Sequence, residues 1–95
     1  MIADNDNTGG EDEILEFPCE FPLKIMGRDE TAFRDAAISI VETHAGPLSD
    51  DAVRSRSSRD GNFVALTVTI VATSREQLDA IYTELSAHDD ILMAL

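Results

Sequence analysis

Cys19, His44 and His88 carry the side chains best suited to nucleophilic or proton-transfer chemistry, and their neighbours decide what they can do. Cys19 sits in "FPCEFP", between Pro18 and Glu20. A thiol becomes reactive when a nearby cation lowers its pKa, and acidic neighbours do the opposite. Lys24 is the one base near it in sequence, so the expected role is an inert residue close to a strand start. With a single cysteine there is no CxxC redox or metal motif. His44 in "VETHAG" and His88 in "SAHDD" fall at the expected ends of two helices. An imidazole there interacts favourably with the helix dipole. Neither has a serine, cysteine or carboxylate at a catalytic spacing, and two helix-end histidines are too few to hold a metal. No catalytic residue, metal site or cofactor is expected.

Two stretches could bind rather than react. "MGRDE" (Met26 to Glu30) reads as the loop between a strand and a helix, and helix N-termini attract anions. Gly27, Arg28 and Asp29 are therefore the candidate positions for a small carboxylate ligand. The stretch lacks the glycine pattern of nucleotide binders, and a plain strand-to-helix turn explains it more simply. "VRSRSSRDG" carries the one local excess of positive charge, with Arg54 and Arg56 on one face of a strand. These arginines form either an anionic-partner patch or a device against edge-to-edge aggregation. The second reading is the more economical.

Ninety-five residues at 43% hydrophobic content support one domain with a thin core. Nineteen acids against seven bases give a net charge of -12, which opposes binding to phosphate backbones, so no nucleic-acid partner is expected. No apolar run reaches the roughly 20 residues of a membrane span, and no secretory leader is visible. One cysteine suits a reducing compartment. A cytoplasmic protein without membrane partners is the expectation.

Periodicity then supplies the elements that must position these residues. Residues 1–13, "MIADNDNTGGEDE", read as a disordered acidic tail, and the domain is expected to span 14–95. In "EFPLKIMG", Phe21, Leu23, Ile25 and Gly27 alternate with Glu20, Pro22, Lys24 and Met26 as in a strand, with Pro22 expected near its start. Phe33, Ala36, Ala37, Ile40, Val41 and His44 recur at helical spacing, with Asp29 as the expected N-cap and Gly46 ending the helix. A polar edge strand around Ala52 to Ser58, a turn at "RDGN" and the strand "NFVALTVTIVAT" predict a hairpin. Val64, Leu66, Val68, Ile70 and Ala72 form the apolar side of that last strand; Phe63, Ala65, Thr67, Thr69 and Val71 form the other. A second helix follows, opened by a Ser74–Gln77 capping box and striped by Leu78, Ile81, Tyr82 and Leu85. "DDILMAL" closes as a short strand. The order predicts an α+β, ferredoxin-like βαββαβ two-layer sandwich, an antiparallel sheet with two helices on one face.

The absences narrow function within that fold. RNA-recognition members stack bases on several sheet aromatics, and here Phe63 stands almost alone. No phosphate-cradling arginine and amide signature of an acyl-phosphate hydrolase is present. Taken together, "LEFPCEFPLKIMG", "VETHAG", "SSRDGNF…TVTIVATS" and "ILMAL" resemble the YbeD family of small bacterial proteins, over about Ile14 to Leu95. The longer hairpin "SSRDGN" and the Cys19–Glu20 pair between the two Phe-Pro pairs depart from that pattern. The resemblance implies a domain similar to the ACT regulatory domains of amino-acid metabolism. It also implies a link to lipoate synthesis, and it carries over no catalytic residue.

The expected function is a non-enzymatic regulatory or protein-interaction module, with Phe63, Thr67, Thr69, Arg54 and Arg56 as the interaction face. The alternative is a small-ligand sensor of ACT type that takes an amino acid or carboxylate. The expected partners are a protein or a second copy in a weak homodimer, which would strengthen with salt as the repulsion between acidic chains is screened.

Overall fold

Strand alternation and two amphipathic helices assemble as the periodicity predicts. The structure, a computed structural model, describes residues 16–95; the acidic tail expected at 1–13, with Ile14 and Leu15, lies outside the described residues. Strand β1 (Cys19–Arg28) leads to helix α1 (Thr31–Ala45), then a short 3-10 turn (Asp50–Ala52). Strands β2 (Val53–Ser57) and β3 (Phe63–Ala72), helix α2 (Arg75–Ala87) and strand β4 (Ile91–Ala94) follow. The sheet order is β2-β3-β1-β4 and every pairing is antiparallel. This is the ferredoxin-like arrangement.

The β1–β3 ladder runs unbroken from Cys19 opposite Ala72 to Arg28 opposite Phe63. It puts Leu23, Ile25 and Gly27 on the same side as Val64, Leu66, Val68 and Ile70, all buried. Both helices pack against that side: Phe33, Ala37 and Val41 come from α1, and Leu78, Ile81 and Leu85 from α2. Ala36, Ile40 and His44 flank the α1 stripe half-buried, as Tyr82 does on α2. Partial burial raises the Tyr82 phenol's pKa above its ordinary value by desolvation.

Three local expectations are corrected. Pro22 lies in the body of β1, opposite Thr69, rather than at its start. Lys24 exchanges backbone hydrogen bonds with Leu95, so its N–H points toward β4. Pro22, two residues earlier, faces the same way but beyond the end of β4, where no ladder bond is required of it. The cap of α1 is Glu30, not Asp29, and no side chain caps it. Asp29 instead follows directly on β1, and its N–H donates to the Asn62 carbonyl at 3.0 Å. Finally, the capping box at α2 is split. Ser74 Oγ accepts from the Gln77 N–H at 3.0 Å, but Gln77 Oε1 reaches back to the Thr73 N–H at 2.7 Å.

Other signals are realised as expected. Gly46 ends α1 at φ +84°, and its N–H donates to the Glu42 carbonyl. Gly61 takes φ +78° in the β2–β3 hairpin, where the Ser58 N–H donates to the Phe63 carbonyl at 2.8 Å. The two helices are tied end to side. Gln77 Nε2 donates to the His44 carbonyl at 3.0 Å, and His44 Nε2 meets Glu84 Oε2 at 2.6 Å.

Gly27 occupies a core-facing position of β1 because the buried Phe33 ring lies directly over it. A Cβ there would collide with the ring carbons of Phe33. Alanine normally improves on glycine in a strand interior, so the sign of the substitution tests this packing. Gly27→Ala is expected to cost about 1–3 kcal/mol through overpacking, measured by denaturant unfolding. In a Phe33→Ala background, which removes the ring down to Cβ, the same change should become neutral or stabilising; an unchanged cost there would contradict the collision.

Ile81 is fully buried and Ile70 nearly so, in one core. Ile70→Ala and Ile81→Ala are each expected to lose roughly 2–5 kcal/mol in the same measurement. Wild-type melting in both would refute the packing described.

Candidate functional site

With both helices on one side, the other side of the sheet is open. Strand alternation fixes its membership. β1 contributes Glu20, Pro22, Lys24, Met26 and Arg28; β3 contributes Phe63, Ala65, Thr67, Thr69 and Val71; β2 contributes Arg54 and Arg56. Register lines these up in rows. Arg54, Thr67 and Lys24 form one row; Arg56, Ala65, Met26 and Met93 form the next. Lys24, Met26, Arg54, Arg56, Ala65 and Thr67, with Leu95, line a broad open depression of about 770 Å³.

The chemistry of this face is unlike that of the whole chain. Five of the seven bases (Lys24, Arg28, Arg54, Arg56 and Arg59) lie on it or on its hairpin rim. It also exposes large apolar side chains: Met26 is 38% exposed, Phe63 40%, Met93 49% and Leu95 63%. Arg28 holds its guanidinium 5.8 Å from the centroid of the Phe63 ring, a cation–π contact. Glu20 and Asp51 flank the Arg54 end. Among the described residues Lys24, Arg54 and Arg56 are in no ion pair. The result is a cationic, partly apolar platform on a strongly acidic protein, suited to holding an anionic group beside an apolar one.

The structure brings together all the residues expected on the interaction face. Phe63, Thr67 and Thr69 share one side of β3, with Arg54 and Arg56 beside them. Lys24, Met26, Met93 and Leu95 complete the face. For Lys24 and Met26 the signal was present in the alternation of "EFPLKIMG"; for Met93 and Leu95 it depended on the pairing of β4.

The second candidate group is dispersed. "MGRDE" is not a loop, because Gly27 and Arg28 are the last residues of β1. Gly27 faces the core under Phe33, while Arg28 points to the open face over Phe63. Asp29 turns its carboxylate toward Arg34, at 3.9 Å. Cys19 is half-buried at the start of β1 and packs against the core.

The two histidines part company. His88 follows α2, where its Nδ1 accepts the Asp90 N–H at 3.1 Å. His44 pairs with Glu84 across the two helices, a contact forty residues apart in sequence. Among the described residues no group of three or more His, Cys, Asp or Glu is arranged to hold a metal ion, and no helix is long and apolar enough to cross a membrane.

Comparison with known proteins identifies the family and supports the fold. A family profile described as "Protein of unknown function (DUF493)" matches residues 12–95. A UPF0250 protein of Nitrosomonas europaea is 45% identical over 85 residues, covering 90% of this chain and 98% of the relative. A UPF0250 protein of Chromobacterium violaceum is 48% identical over 83 residues, covering 87% and 93%. The solution structure of protein HP0495 from H. pylori superposes with a TM-score of 0.66 at 14% identity, over 94% of this chain and 96% of that one. At that identity the two share the fold.

Proposed function

The chain belongs to the DUF493 family of proteins of unknown function, and we propose that it is a non-enzymatic regulatory or protein-interaction module working through its open sheet face. One observation carries this reading. A chain of net charge -12 gathers Lys24, Arg28, Arg54 and Arg56 on that face, next to exposed Met26, Phe63, Met93 and Leu95. Apolar side chains gathered on one face beside cations, rather than scattered, favour a covered surface over one exposed only to water. Together they suit a protein partner that brings carboxylates and apolar side chains to the same surface. The resemblance to the YbeD family makes proteins of lipoate synthesis the first partners to test.

Small-carboxylate sensing of ACT type is a second reading, favoured by the uncapped N-terminus of α1. It relies on Arg28 with the first-turn amides of α1, because the Asp29 N–H is already held by the Asn62 carbonyl. The Asp29 and Glu30 carboxylates beside those amides weaken it.

A photo-reactive residue placed at Thr67 on the open face, or at Ser39 on α1, separates the interaction reading from its rivals in cells. The expected result is a discrete adduct from Thr67, absent from Ser39 and abolished by Arg54→Glu with Arg56→Glu. Equal adducts from both positions would sink the proposal, as would acyl-phosphate hydrolysis by the purified protein that Arg28→Ala removes. For the sensing reading, amino acids and short-chain acids at millimolar concentration should raise the melting temperature, by mass action. No shift with any of them would discard it.

A further inference from the structure

Strand β2 stands at the edge of the sheet, and the order β2-β3-β1-β4 leaves its outer side without a strand neighbour. Residues Arg54 to Ser57 are exposed on both faces. Alternation sends Arg54 and Arg56 to the open face, level with Thr67 and Ala65 of β3, while Ser55 and Ser57 offer little bulk on the other. We propose that β2 is a docking edge for an extended acidic segment of a partner protein, which adds a fifth strand and sets alternate carboxylates beside Arg54 and Arg56. This rests on the open face as the working surface and specifies the partner's chemistry.

The physical case is a choice between occupants. In strand addition, main-chain hydrogen bonds supply affinity and alternate side chains supply specificity. A second copy joined antiparallel through β2 about a two-fold axis at Ser55 sets Arg54 of each chain opposite Arg56 of the other, on the same face. Like charges directly opposite each other on paired strands are destabilising. An acidic strand turns the same positions into favourable cross-strand pairs, and neither arginine has an ion-pair partner among the described residues to give up. Repulsion from the rest of the chain is largely screened beyond about 8 Å at physiological ionic strength. A slender segment whose acids land on the arginines therefore gains locally what a large acidic body would lose. Glu20 and Asp51 near Arg54 make the Arg56 end the stronger anion position.

The test uses the full chain, isotope-labelled, titrated with a short peptide alternating glutamate and threonine and with its glutamine–threonine counterpart. Expected are saturable binding, slowed amide exchange at Val53–Ser57, and about five- to tenfold tighter binding of the glutamate peptide, a ratio that shrinks in high salt. A folded Arg54→Glu, Arg56→Glu double variant should prefer a lysine–threonine peptide instead. Equal affinity for the glutamate and glutamine peptides would overturn the proposal. So would shifts at Lys24 and Met26 without slowing at β2, although the open-face reading would survive that outcome. Slowing at β2 that grows with protein concentration in the absence of peptide assigns the edge to a second copy and also overturns it. Failure of every peptide rejects the acidic strand, and the adduct at Thr67 then decides separately whether the open-face reading stands.

Discussion

The antiparallel ladder between β1 and β3 is the constraint from which the rest of the molecule follows. Its ten residue pairs lock two alternating strands in one register. Because side chains alternate with a period of two, a slip of one residue would carry the whole apolar set to the wrong side. In the register observed, Leu23, Ile25, Val64, Leu66, Val68 and Ile70 all face the helices. The same register that builds the core also builds the open face. Lys24 comes level with Thr67, and Met26 with Ala65, only because Ile25 is level with Leu66.

Helix placement adds a second constraint, at a single residue. The first turn of α1 follows β1 closely, and the Phe33 ring needs room against the sheet. Glycine at position 27 provides it. The sheet end thus exchanges a side chain of its own for an aromatic ring from the helix. Position 27 is thereby committed to packing.

Local patterns were legible in the sequence; contacts between distant segments were not. Alternation revealed both long strands, and the stripes at three- and four-residue spacing revealed both helices. Gly46 and Gly61 marked a helix end and a hairpin because each needs a left-handed backbone that other residues rarely adopt. Asp29 looked like a cap by composition, but its N–H is held by the Asn62 carbonyl just past β1 and the cap falls one residue later, at Glu30. Pro22 suggested a strand start, since local reasoning could not know that β4 would stop short of it. The His44–Glu84 pair and the aromatic above Gly27 are tertiary contacts that no spacing rule encodes. The interaction face sits between these extremes: its β1, β2 and β3 members were readable from alternation, and Met93 and Leu95 joined it through the pairing of β4 with β1.

The separation of charge between the two sides of the sheet also governs how the molecule turns as it approaches another surface. The helix layer carries Asp35, Glu42, Glu76, Asp79 and Glu84 against Arg34 and Arg75, while the opposite face is cationic. A body charged this way experiences a torque in any external field, whatever its sum of charge. Near a negative surface the charges of the described residues favour the helices turned outward and the sheet turned in; near a positive one the order reverses. Orientation is thus selected before contact, within the last Debye length, while the net charge of -12 sets how strongly the molecule is drawn or repelled but not which side arrives first.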